Sequence, residues 1–149
     1  MKIRSFLSYF LMVILAGLVL GCTGRQESAP EPEETENIKQ VALFEDHQRN
    51  RLVAFEFAPQ TSVEEIRAHA ESLRHTEDRL MGAYFFEQGA RSISHEVLRR
   101  GFTIMRALDL LYDNPDIDPW RYAFMRPFVG EVKFVDCLET PQDALCRRD

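Results

Sequence analysis

The chain is 149 residues long, the size of one domain and too short for a two-domain enzyme. Its 45% hydrophobic and 28% charged residues lie near the average of soluble globular chains, which excludes wholesale disorder and a multi-spanning membrane protein. With 18 Lys+Arg against 24 Asp+Glu, the formal net charge of −6 has the wrong sign for gripping a phosphate backbone, so nucleic-acid binding is not expected.

Residues 1–21 place Lys2 and Arg4 ahead of an apolar run from Phe6 to Leu20, the layout of a secretory signal. The run is shorter than the roughly 20 residues of a comfortable membrane span, and an acidic stretch follows it rather than a basic flank. Its end, Val19-Leu20-Gly21-Cys22, resembles the lipobox of bacterial lipoproteins. The resemblance implies cleavage before Cys22, a diacylglycerol on its thiol and acylation of the new amino terminus with fatty acids of the palmitate kind. Thr23 after the cysteine, rather than Asp, resembles lipoproteins sent to the outer membrane, facing the periplasm. Two or three acyl chains, at about 0.8 kcal/mol per buried methylene, would hold the chain to a bilayer essentially for good. The alternative is a single uncleaved anchor helix.

Behind the lipid-bearing Cys22, the segment 22–37 is expected to be a disordered acidic linker. It carries five Glu and two Pro and cannot bury enough surface to offset its ordering entropy. As a flexible tether it would span about 20 Å.

Residues 38–149 read as one globular domain. Val41–Phe44 and Arg51–Phe57 are rich in strand formers and separated by a polar segment, which predicts a β-hairpin with Val53, Phe55 and Phe57 on the core face. Ser62-Val-Glu-Glu65 matches a capping box before a helix reaching Arg74, striped by Val63, Ile66, Ala70 and Leu73. Arg79–Phe86 reads as a strand apolar on both faces and therefore central in its sheet. The longest helix is expected from Ser94 to Tyr112, with Gly101 as a notch where another backbone packs closely. Asp118-Pro119 signals a short helix containing Trp120, Tyr122 and Phe124. Val129–Val135 reads as a last strand, and Thr140-Pro141 as the start of a final helical turn.

The order ββαβααβα predicts an α+β fold: a small two-layer sandwich with a four-stranded mixed or antiparallel sheet and helices mainly on one face. If Cys22 is consumed by lipid, Cys137 and Cys146 remain as an even pair. In an oxidising periplasm they read as a disulfide worth roughly 2.5–3 kcal/mol by the loop-entropy argument, against the alternative of two buried thiols.

The familiar chemical signatures do not form. The glycines are too scattered for a phosphate loop, and Arg99 stands where a zincin helix starting at His95-Glu96 needs its second histidine. The sharp turn that presents a hydrolase serine is missing, and Ser92 or Ser94 is better read as a helix cap. Asp113, Asp116 and Asp118 lack the ligand spacing of a calcium loop. No metal or cofactor is expected.

The unusual features are eleven Phe and an excess of Arg over Lys. Trp and Arg carry much of the binding energy at protein interfaces, so Trp120, Arg121 and Arg126 are the candidate partner-binding residues. The function expected is that of a non-enzymatic, lipid-anchored cell-envelope protein that binds or positions a partner of an envelope complex. One alternative is a small periplasmic hydrolase or ligand binder working from the His95/Glu96 region. Another is an inhibitor or exclusion-type lipoprotein.

Overall fold

The computed structural model describes residues 37–146. The signal segment, Cys22 and all of the acidic linker but Asn37 lie outside the described residues. Within them β1 (Ile38–Glu45) and β2 (Arg51–Phe57) form the expected antiparallel hairpin, with a bulge between Gln40 and Ala42. Its turn is closed by Asp46, whose carboxylate accepts from the backbone N–H groups of Gln48 and Asn50 at 2.9 and 3.0 Å, while Arg49 takes a left-handed φ of 70°.

Helix α1 (Val63–Ser72) starts on the predicted capping box. The Ser62 hydroxyl accepts from Glu65 N–H at 3.2 Å, and the Glu65 carboxylate accepts from Ser62 N–H at 2.8 Å. Strand β3 (Met81–Glu87) then pairs parallel to β2, a geometry that needs a crossover, and α1 supplies it. β3 is buried on both faces apart from Glu87, as its sequence predicts, and it is the middle strand of the sheet.

The sheet has five strands in the order β1-β2-β3-β4-β5, not four. The additional strand is β4 (Tyr122–Arg126), antiparallel to β3, in the segment where a short helix is predicted. Asp118-Pro119 gives the local signal of a helix start, but Tyr122 and Phe124 alternate with Ala123 and Met125 at the period of a strand. Pairing with β3 decides the outcome. The last strand is also shorter and later than predicted: β5 covers Lys133–Asp136 and pairs antiparallel with β4.

The predicted long helix is broken into α2 (His95–Arg99) and α3 (Ile104–Tyr112). The break falls at Gly101-Phe102, where Thr103 N–H donates to the Gly101 carbonyl at 2.7 Å and Phe102 adopts φ 58°. Gly101 does serve as a close-contact notch: a Cβ there would stand 2.7 Å from the backbone nitrogen of Ala107. Ser94 and Thr103 cap the two helices by accepting from Val97 and Arg106 N–H.

Helices cover both faces of the sheet rather than mainly one. On one face Ile66 and Ala70 of α1, with Leu73 just past its end, pack on Val53, Phe55, Met81, Ala83 and Phe85. On the other, Leu98, Ile104, Ala107 and Leu111 of α2 and α3 pack on Leu52, Ala54, Tyr84 and Phe86. Each fully buried Leu, Ile or Phe contributes roughly 1.5–3 kcal/mol, so both layers are substantial. The reason for two faces lies in β3, whose apolar residues on both sides each need a cover.

Residues 137–146 fold as turns, not the predicted final helix, and the disulfide Cys137–Cys146 closes them with Cα atoms 5.3 Å apart. The Leu145 carbonyl accepts from Trp120 Nε1 at 2.9 Å and from the Tyr112 hydroxyl at 3.3 Å. With its proton committed there, Tyr112 accepts from Tyr84 at 2.9 Å. Burial holds the Tyr84 hydroxyl protonated, its pKa well above the ordinary tyrosine value. The disulfide loop is therefore stitched to the core under α3.

Candidate functional site

Helix α1 does not cover the whole of its face of the sheet. Beyond it, toward the β5 edge, Tyr122 and Phe134 stack with ring centroids 5.7 Å apart and planes 21° from parallel. Two arginines lie against these rings. The Arg67 guanidinium, from α1, stands 4.3 Å from the Phe134 centroid, and that of Arg121, just before β4, stands 5.2 Å from the Tyr122 centroid.

Arg121 also pairs with Asp136 at 2.9 Å. Burial works against its cation, but the bond to Asp136 outweighs that and raises its pKa, so Arg121 is a fixed positive charge. Arg67 makes no carboxylate contact among the described residues, which leaves its edge donors for another molecule.

These groups line a groove of about 840 Å³ together with Val63, Val132, Glu139, Thr140 and Asp143. All four β5 residues, Lys133 to Asp136, contribute to its wall, so the groove wraps the free side of that strand. β5 is the last strand of the sheet, and among the described residues no strand but β4 pairs with it. The turn after it takes the Asp136 carbonyl, which accepts from the Thr140 N–H and hydroxyl at 2.9 and 2.8 Å, and brings Asp143 within 3.9 Å of Lys133, so the backbone left without a partner strand beside the arginines lies between these two points, around Phe134. The opposite edge is guarded, because the Leu43 N–H of β1 donates to His95 Nδ1 of α2 at 3.4 Å.

The structure separates the three candidate partner-binding residues. Arg121 is in the groove. Arg126 does not line it: it ends β4 opposite Met81, 5.8 Å from the Phe124 ring, with its guanidinium 2.7 Å from a ring nitrogen of His75. Trp120 is not partner-facing: it is only 2% exposed, donates to Leu145 and packs edge-on against Tyr84 and Tyr112. Its enrichment at interfaces is outweighed here by the aromatic pocket the disulfide loop closes. Arg67 and Phe134 are not among the candidate partner-binding residues that the sequence singles out. The available signal was Arg67 at the rim of the α1 stripe, one turn after Val63, together with the period-two placement of Phe134 beside Val132.

His95 and Glu96 form no comparable site. His95 lines a hollow of about 420 Å³ with His47, Asp46, Arg99 and Phe102, but no serine, threonine or cysteine lines it. The neighbouring Ser94 hydroxyl is occupied as the α2 cap. His69 is buried on the inner side of α1 and His75 contacts Arg126, so of the other histidines only His47 shares the hollow with His95. Among the described residues no group of three His, Cys, Asp or Glu side chains could hold a metal ion.

No protein-family model matches the chain, and no curated protein and no solved structure is significantly similar to it. The functional reading therefore rests on the groove and on the composition of the chain.

Proposed function

We propose that this chain is a lipid-anchored cell-envelope protein that positions a partner protein by receiving one of its extended segments in the groove along β5. The observation that carries this reading is the pair of guanidiniums, Arg67 and Arg121, against the stacked Phe134 and Tyr122 rings beside an unpaired strand edge. A strand added to β5 would gain main-chain hydrogen bonds, and a carboxylate or aromatic side chain on it would meet the arginine–aromatic floor. Cys22 would carry the lipid, and the acidic linker would let the groove stand off the bilayer.

Photo-crosslinking in cells tests the reading. A photoreactive residue at Thr140, on the lip of the groove, should trap a discrete partner, whereas one at the exposed Glu96 of α2, beside the opposite edge strand β1, should not. R67A/R121A should abolish the Thr140 product, and Cys22→Ala should abolish fatty-acid labelling and membrane retention. Equal products at both positions, or a Thr140 product indifferent to R67A/R121A, would remove the groove from the proposal.

A further inference from the structure

The turn between α2 and α3 holds a feature that the groove does not explain. Phe102 has φ 58° and lies at the centre of a three-residue turn closed by the 2.7 Å bond from Thr103 N–H to the Gly101 carbonyl. This positive-φ form of the γ-turn is rare and strained, and it is a genuine outlier for a bulky side chain. The local fold would be better served by glycine at 102. Yet the phenylalanine side chain does not earn its place by packing, because it is 83% exposed.

Met105, one turn along at the start of α3, is 60% exposed. Around this apolar pair the stretch 99–106 contains Arg99, Arg100 and Arg106, all exposed, and no acidic residue, in a chain whose net charge is −6. Arg106 keeps a loose contact with Asp109 at 3.5 Å, while Arg99 and Arg100 make no ion pair among the described residues. On its inner side the turn meets the β1–β2 turn, where Phe102 and Arg99 share a hollow with Glu45 and with Asp46, whose carboxylate is taken up by backbone donors. An exposed aromatic and a methionine flanked in sequence by exposed arginines is the composition that enters the headgroup layer of an anionic bilayer. The apolar side chains insert, and the guanidiniums meet lipid phosphates.

We propose that the Gly101–Thr103 turn is a membrane-contact point, with Phe102 and Met105 inserting into an anionic lipid surface and Arg99 and Arg100 contacting its phosphates. The envelope reading supplies the membrane but not the contact. The groove and the turn are built from different residues, so each can fail alone.

The test uses the full chain in vesicles of phosphatidylglycerol and phosphatidylcholine whose acyl chains are brominated. An environment-sensitive fluorophore is attached at Met105→Cys, or at Asp113→Cys as a control. The label at 105 should be quenched several-fold more than that at 113, and only when phosphatidylglycerol is present. F102G should lose the quenching while keeping or raising thermal stability, a combination a purely structural role would not give. R99Q/R100Q should lose the dependence on anionic lipid. Equal quenching at the two positions, quenching unchanged in F102G, or a Phe102-dependent dimer without vesicles would overturn the proposal, the last in favour of contact between copies.

Discussion

The carboxylate of Asp46, in the β1–β2 turn, accepts a hydrogen bond from the backbone N–H of Ile104 at 3.3 Å, across 58 positions of sequence. The same side chain accepts from the Asn50 side-chain NH2 at 2.9 Å, and Asn50 Oδ1 in turn accepts from Leu80 N–H at 3.0 Å. One buried carboxylate thus pins the hairpin turn, the first turn of α3 and, through Asn50, the start of β3. Burial pushes its pKa up, but the bonds from Asn50, Gln48 and Ile104 outweigh this and hold it below the ordinary value.

Asp46→Ala is expected to cost about 2–3 kcal/mol, because it strands several buried donors. A carboxylate with a depressed folded pKa contributes stability that is present above its unfolded pKa and lost as pH falls through the folded one. The wild-type chain should therefore lose stability below about pH 4, the ordinary Asp range, and the variant should lack that component. Urea denaturation at several pH values measures both.

A second acid-sensitive group acts at higher pH. His69 is 9% exposed, lies edge-on to Phe55 at 4.8 Å and has no hydrogen-bond partner on its buried Nε2. Burial lowers its pKa from the usual 6.5. The unfolded chain then binds the proton first, so stability is complete above the unfolded value and falls as pH drops below about 6.5, at no more than about 1.4 kcal/mol per pH unit. His69→Leu should flatten this part of the profile, and a slope unchanged by the substitution would show that another group is responsible.

The disulfide loop makes an optical prediction. Breaking Cys137–Cys146 with C137S/C146S should cost roughly 2.5–3 kcal/mol for a closure of this length. Because Leu145 accepts the Trp120 N–H, loosening the loop should also expose the indole. Since the chain has one Trp, a red shift of its emission reports this event alone. An unshifted spectrum in the double variant would mean that the loop stays docked without its covalent closure.

Gly101→Ala should destabilise by about 2 kcal/mol, since the added Cβ meets backbone atoms of Ala107 at 2.7 and 2.9 Å that cannot simply rotate away. Its thermal midpoint should fall, while that of F102G next to it should not.

The parts of this fold that were legible in the sequence are those fixed by local chemistry. The Ser62–Glu65 box, the alternation of Val53, Phe55 and Phe57, and the doubly apolar run of β3 each name their own structure. What could not be read depends on distant partners. Tyr122–Arg126 becomes a strand because β3 offers its second edge, and the break at Gly101-Phe102 follows from the approach of Ala107. The groove was legible only at Arg121. Arg67 and Phe134 lie 67 positions apart and meet only once α1 crosses the sheet, while Trp120, the most conspicuous interface residue by type, is claimed by the core.

The central claim is that the free side of β5 receives a partner segment. Amide hydrogen exchange across Val132–Asp136, compared between the chain in its native envelope and the purified chain, tests this most directly. Marked slowing confined to β5 and the groove in the envelope is the result expected. Identical exchange of β5 in both settings, with the chain properly anchored, would contradict it.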